Sequence, residues 1–104
     1  MARLDYSKSI HGHEHAQVRV DYFTDGTIEL VSYTTKIITV TPDGWLSCTG
    51  TYSATTRKHI GWFMRQLSQE KSVPGLNYYL AKKMYEDEQK YNIKTGEVLP
   101  LRWN

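Results

Sequence analysis

The chain has 104 residues, of which 39% are hydrophobic and 23% are charged, and its formal net charge is +2 at pH 7. This length suits one domain with one core, and the small charge does not require a nucleic-acid partner. The single cysteine excludes an internal disulfide, and no stretch approaches the ~20 apolar residues of a membrane span. We therefore expect a cytoplasmic protein without a membrane segment.

Alternating apolar and polar residues predict four strands in the first half of the chain. Turn signals separate these strands: Asp25-Gly26 is a hairpin turn, and Pro42-Asp43-Gly44 is a second turn. A further turn is expected near residues 34–35. The predicted strands cover residues 17–23, 27–34, 36–41 and 45–49. Because the connections are short, neighbouring strands are expected to pair antiparallel.

The apolar period changes to that of helices after residue 54. Thr55 or Thr56 is a candidate cap for a first helix that ends near Gln69. Its apolar stripe consists of Ile60, Phe63, Met64 and Leu67. A second helix is predicted with Pro74 near its start. Its stripe consists of Leu76, Tyr79, Leu80 and Met84.

These elements predict an α+β fold, with a four-stranded antiparallel β-meander followed by two α-helices packed on one sheet face. Each strand and each helix has one apolar side, and the two layers bury those sides together. Residues 1–16 are expected to form a polar N-terminal arm, residues 17–91 the single α+β domain, and residues 92–104 an irregular C-terminal tail.

Three histidines in the predicted arm, His11, His13 and His15, form a pattern that could bind metal. In an extended chain their imidazoles would project to one side, and a divalent metal could recruit Glu14 or His59 as a further ligand. Glu14, however, would point to the opposite face of such a strand. A His-ligated, metal-dependent protein is therefore one alternative, and a polar arm whose histidines face water is the other.

Cys48 and His59 are a candidate pair of nucleophile and base. The sequence offers no third residue to orient the base, and the position of Cys48 in a strand favours a buried structural thiol. No catalytic residue is assigned on this evidence. We expect a protein that is not an enzyme and that has no cofactor.

Aromatic residues are numerous for one small core, with eight Tyr and three Trp. Trp62 falls on the side of the first helix away from Phe63 and Met64, among basic residues, and such side chains are typical of protein-binding surfaces. The candidate protein-binding residues combine aromatic area with positive charge: Tyr52, Arg57, Lys58, Trp62, Arg65, Tyr78 and Tyr85. Because bases stack on aromatic rings, a single-stranded nucleic-acid-binding protein stays an alternative.

Three motifs carry a resemblance: Ser32-Tyr33-Thr34-Thr35, the run YSATTRKHI over residues 52–60, and WFMRQ over residues 62–66. The block from Leu30 to Leu67 resembles small phage and prophage proteins of Gram-positive bacteria. The resemblance implies a phage or mobile-element origin and no particular activity. Small phage proteins often bind and disable a host machine, which makes a host or defence-system protein the expected partner. By analogy with anti-CRISPR inhibitors, that partner could be a CRISPR-Cas effector nuclease ribonucleoprotein; a homodimer also stays open.

Overall fold

The computed structural model describes residues 2–51 and 53–101. Within these residues it contains one seven-stranded antiparallel sheet and two helices, which confirms the α+β class. The strands are β1 (Leu4–Lys8), β2 (Val18–Phe23), β3 (Ile28–Ser32), β4 (Thr35–Val40), β5 (Trp45–Cys48), β6 (Gln89–Asn92) and β7 (Val98–Pro100). They lie across the sheet in chain order, and α1 (Ala54–Lys71) and α2 (Tyr78–Glu86) connect β5 to β6.

The prediction of four strands is wrong in number, because three further strands, of only three to five residues each, lie outside residues 17–49. β1 pairs with β2 inside the predicted polar arm, β6 pairs with β5 directly after α2, and β7 pairs with β6 inside the predicted irregular tail. All five residues of β1 are exposed. Its place in the sheet therefore comes from backbone pairing with β2 and from surface contacts, such as Tyr6 stacked on Tyr22 with ring centroids 4.7 Å apart, and not from burial of its own side chains.

The four predicted strands lie within two residues of their expected bounds, because their turns have suitable chemistry. Gly26 and Gly44 adopt φ angles of 97° and 96°, which glycine tolerates without strain. The Asp25 carboxylate accepts a hydrogen bond from the Thr27 backbone N–H at 2.9 Å. The turn between β3 and β4 lies one residue earlier than predicted, at residues 33–34.

The apolar stripe predicted for α1 is confirmed, since its four residues are all buried against the sheet. They form one core with strand residues such as Val20, Leu30 and Leu46, so the helices cover one face of the sheet. The N-cap is Ser53, and not Thr55 or Thr56, because the Ser53 hydroxyl accepts the Thr56 backbone N–H at 3.2 Å. The helix ends two residues beyond Gln69.

A bulge in β4 adds one residue to this core. Leu30 pairs with Ile38 while Val31 pairs with Lys36, so Ile37 has no partner of its own on β3. A bulge of this kind sets two residues of one strand opposite one residue of its neighbour. Both isoleucines are completely buried in the same core, which explains two successive apolar residues in a half-covered sheet.

The stripe predicted for α2 is wrong at Tyr79, which is 74% exposed. The helix begins at Tyr78 after Asn77, whose side-chain oxygen accepts the Leu80 backbone N–H at 3.0 Å. Leu76 thus precedes the helix, but Leu76 and Met84 are buried and Leu80 packs against the core, so the predicted stripe is confirmed at those three residues. The buried residues of α2 are Ala81 and Met84. Among the described residues, neither helix combines the length and apolarity needed to cross a bilayer.

Candidate functional site

The groove between α1 and the start of α2 is the concavity that gathers most of the predicted site residues. Its volume is about 530 Å³. On α1, Lys58, Trp62 and Arg65 recur at positions i, i+4 and i+7, and therefore form a second stripe beside the buried one. The segment that leads into α2 supplies an apolar and aromatic wall, made of Leu76, Tyr78 and Tyr79.

Four of the seven predicted protein-binding residues line this groove, namely Lys58, Trp62, Arg65 and Tyr78. Arg57 is exposed on the first turn of α1 but is not part of the lining. Tyr85 lies near the other end of α2, where it lines a separate hollow with Ser47 and Leu101. Tyr52 lies outside the described residues.

Tyr79 is the groove residue that sequence reasoning missed. Counting from Leu76 assigns Tyr79 to the core, whereas the structure places it on the wall of the groove. The signal that finds it is Asn77, a good N-cap residue that fixes the start of α2. With that start, Ala81 and Met84 share the inner face of the helix, and Tyr79 points away from it.

The positive charges of the groove have no carboxylate partner among the described residues. The five ion pairs found there use other cations: Lys8, Arg19, Lys36, Lys82 and Lys83. Lys58 and Arg65 take part in none of them, and the described lining of the groove contains no acidic side chain. The groove therefore presents two uncompensated cations beside exposed aromatic surface.

Trp62 is held in place by His13, whose imidazole lies parallel to the indole. The ring centroids are 3.5 Å apart, and the ring planes differ by 6°. The neighbouring backbone N–H of His11 donates to the Gln66 side-chain oxygen at 2.9 Å, which fixes this loop to α1. One side of the indole is thus covered by the loop, while other parts of Trp62 line the groove.

A buried polar pair supports α1 beneath Trp62. His59 and Ser32 are each 2% exposed, and the distance from His59 Nδ1 to Ser32 Oγ is 2.7 Å. Burial, and to a smaller extent the charge of nearby His13, lowers the pKa of His59. Because both side chains are enclosed, this pair connects α1 to β3 rather than offering a nucleophile to a substrate.

Cys48 has the properties of a structural thiol. It is buried, and its Sγ donates to the Gly50 carbonyl at 3.5 Å. Burial raises the pKa of Cys48, although the contact with Gly50 acts in the opposite direction. A raised pKa keeps the thiol protonated, whereas a nucleophilic cysteine needs an accessible thiolate. His59 is bonded to Ser32, so the geometry gives no support to a Cys48–His59 catalytic pair.

The segment with the predicted metal ligands His11, His13 and His15 forms turns instead of an extended strand. His13 stacks on Trp62, and the Glu14 carboxylate accepts the Gly12 backbone N–H at 2.9 Å, which lowers the pKa of Glu14. Over residues 2–51 and 53–101, no group of three or more His, Cys, Asp or Glu side chains is arranged to hold a metal ion. The metal-binding alternative stays a prediction without an assembled ligand set.

A second hollow, of about 350 Å³, lies at the other end of the core, beside the β2–β3 and β4–β5 turns. Its apolar surface comes from residues such as Ile28, Val40 and Ile93. Its lining includes two lysines, Lys71 and Lys94, together with Asp25, and Lys94 donates to the Pro42 carbonyl at 3.0 Å. The described lining of this hollow contains no aromatic ring, in contrast to that of the groove.

The model of a family of unknown function (DUF8033) matches residues 4–90. The chain belongs to this family. The match begins at the first residue of β1 and ends within β6, so it covers the first five strands, both helices and every residue that lines the groove. No curated protein and no solved structure matches the chain.

Proposed function

We propose that this member of the family is a non-enzymatic interaction protein that binds a macromolecular partner in the groove between α1 and α2. The observation that carries the proposal is one concavity in which Lys58 and Arg65, without carboxylate partners among the described residues, lie beside Trp62 and Tyr79. Tyr, Trp and Arg are the residues that most often dominate binding energy at protein interfaces.

The rigidity of the groove is a second support. Trp62 is stacked on His13, and α1 is tied to the sheet by the His59–Ser32 pair, so the anchor residue is held in place before a partner arrives. A side chain that is already ordered loses little conformational entropy on binding, and more of the contact energy appears as affinity.

The partner in this proposal is a host protein in the bacterial cytoplasm. The support is the resemblance to small phage proteins between Leu30 and Leu67, which also suggests a narrower form of the proposal, inhibition of a CRISPR-Cas effector nuclease. A plasmid-interference assay in cells with an active CRISPR-Cas system tests the narrower form directly. Protection of the plasmid by the wild-type protein is expected, and its absence across the effector types assayed would leave only the broader proposal.

The broader proposal is tested by affinity capture from a bacterial lysate with matched variants of the bait. Lys58→Glu/Arg65→Glu reverses the charge of the groove, and Tyr79→Ala removes its most exposed ring. Arg57→Glu is the control, because it reverses one positive charge on the same helix outside the lining, and the single variant Arg65→Glu makes the equal charge change inside it. Circular dichroism of each variant verifies the fold.

We expect a partner that the wild type and Arg57→Glu retain equally and that the two groove variants lose. Two results would contradict the proposal: the absence of any protein whose retention depends on the groove, or equal loss in Arg57→Glu. The second result would move the site to the outer start of α1.

A further inference from the structure

We infer that the groove takes an acidic segment of the partner protein, with two carboxylates that meet Lys58 and Arg65 and an apolar or aromatic side chain between them. This inference rests on the proposed function and names the chemistry of its partner. The inference is based on the charge of the groove, on the spacing of its two cations and on the exposure of its rings.

The groove carries positive charge that an acidic partner would complement. Among the described residues, the lysines and arginines in ion pairs lie elsewhere on the surface, and the groove is left with two cations and no acidic lining residue. The first turns of both helices also lack acidic residues, so no carboxylate of those turns offsets the positive helix ends. A partner that supplies negative charge here replaces water at two unpaired cations, whereas a basic partner would be repelled.

The distance between Lys58 and Arg65 determines how far apart the two carboxylates of the partner should lie. Lys58 and Arg65 are seven residues apart on one helix, which places their backbones roughly 10 Å apart along its axis. An extended chain advances by roughly 3.3 Å per residue, so carboxylates about three residues apart in the partner would span this distance. Trp62 lies between the two cations on the same stripe, with Leu76 on the lining opposite. One of the two residues between the carboxylates is therefore expected to be apolar or aromatic.

The groove suits a protein partner better than a single-stranded nucleic acid. Binding to single strands depends on a row of cations along the backbone and on free ring faces for the bases. The groove offers two cations, one side of the Trp62 ring is covered by His13, and Tyr78 is partly buried against the core. Tyr79 is the one ring of the described lining that is mostly exposed. One open ring and two cations form a short platform for a single strand, and they suit one apolar side chain between two carboxylates better than a run of stacked bases.

The test begins with selection of a displayed library of random peptides, about twelve residues long, on the full-length protein. We expect the bound pool to be enriched in Asp and Glu over the input pool, with acidic pairs about three residues apart that flank Leu, Phe, Tyr or Trp. One selected peptide is then synthesised with a fluorescent label, and its affinity is measured by anisotropy.

Affinity for this peptide is expected to fall about tenfold or more in Lys58→Glu/Arg65→Glu and to stay unchanged in Arg57→Glu. Tyr79→Ala should weaken binding about threefold to tenfold, as the loss of an exposed ring contact does. A peptide in which Lys replaces both acidic residues should bind the charge-reversed protein better than the wild type. That compensation would not follow from a variant that merely unfolds.

The alternative outcomes separate this inference from the proposed function. Selected peptides that need Tyr79 but contain no excess of acidic residues would overturn the acidic partner and leave the groove as the binding site. Peptides that bind all variants equally, or no selected peptide at all, would overturn both. Groove-dependent binding of a single-stranded oligothymidine of about twelve nucleotides, in preference to the peptides, would assign the site to nucleic acid.

Discussion

On the sheet face turned away from the helices, Asp21 and Glu29 lie opposite each other across β2 and β3. Each has a cation of its own: Arg19 Nε is 3.0 Å from Asp21, and Lys36 Nζ is 3.0 Å from Glu29. Ser7 also donates to Asp21 at 2.7 Å. The charges of these two carboxylates are thus neutralised within the fold.

The groove between α1 and α2 is also open to solvent, but its cations form no ion pairs within the described part of the chain. Lys58 and Arg65 have no carboxylate partner among the described residues, whereas the sheet face places Lys90 4.8 Å from the ring centroid of Trp45. Side chains that satisfy one another contribute to stability, and side chains left unsatisfied are available for binding. The comparison predicts that substitutions on the sheet face cost stability and that substitutions in the groove cost binding.

The largest difference is expected between Trp45→Ala on the sheet face and Tyr79→Ala in the groove. Trp45 is half-buried and contacts Lys90, so its loss should lower the free energy of unfolding by about 2 kcal/mol. Tyr79→Ala should change that free energy by less than about 0.5 kcal/mol, because the side chain is mostly in water. Urea unfolding followed by circular dichroism measures both, and equal losses would contradict the comparison.

A smaller difference is expected between Arg19→Ala and Arg65→Ala. Removal of Arg19 leaves the enclosed Asp21 carboxylate opposite Glu29 without its cation, which should cost about 1–2 kcal/mol. Arg65→Ala removes no ion pair from the described part of the chain and should cost less than about 0.5 kcal/mol. The same urea experiment applies, and a cost for Arg65 as large as that for Arg19 would indicate a structural role for the groove cation.

The buried pair beneath the groove predicts a dependence of stability on pH. Burial holds the pKa of His59 below its unfolded value of about 6.5, so below that pH the unfolded chain binds a proton that the folded chain resists. The free energy of unfolding should therefore decrease as the pH falls below about 6.5, by at most about 1.4 kcal/mol per pH unit from this group. Above that pH the group has no effect.

Urea unfolding at several pH values checks this prediction. His59→Gln should reduce the slope, and His15→Ala should preserve it, because His15 is exposed. A slope that is identical in all three proteins would show that His59 does not cause the dependence.

The smallest expected effect concerns salt. Lys36→Gln breaks the ion pair with Glu29 and should lower stability by up to about 1 kcal/mol at low ionic strength. The difference from wild type should shrink at about 0.5 M salt, because exposed charges are screened. The control Lys58→Gln, in the groove, should show no difference at either ionic strength. A salt-independent cost of Lys36→Gln would indicate lost packing of its aliphatic stem instead.

Prediction from sequence succeeded where one local pattern was enough. The alternation before residue 50 and the stripe of α1 follow from side chains that must be buried together, and the glycine turns at Gly26 and Gly44 set the strand bounds. Edge strand β1 could not be predicted in this way, because its side chains are all exposed and its pairing with β2 is not encoded by a local pattern. β7, at the other edge, has only three residues, of which only Leu99 is half-buried, so it also lacks a pattern long enough to predict a strand.

The candidate site was predicted in composition but not in arrangement. Aromatic residues beyond the needs of one core and basic residues on α1 indicated a binding surface. Tyr79 was assigned to the core because it lies three residues after Leu76, but Leu76 precedes α2 and the buried residues of that helix are Ala81 and Met84. Tyr85 lies seven residues after Tyr78, roughly 10 Å along the helix axis, and therefore lines a different hollow. The role of His13 as the ring stacked on Trp62 depends on a loop that returns to α1 from a distant part of the chain.

By itself, the sequence determined the fold class, the four central strands, the inner face of α1 and the excess of aromatic and basic residues on the outer face. Those features depend on hydrophobic periodicity and turn chemistry, which act over a few neighbouring residues. Only the tertiary structure decided which cations find carboxylates, which rings stay exposed and where the two helices leave a groove. These outcomes depend on distances between segments far apart in the chain, and local pattern does not contain those distances.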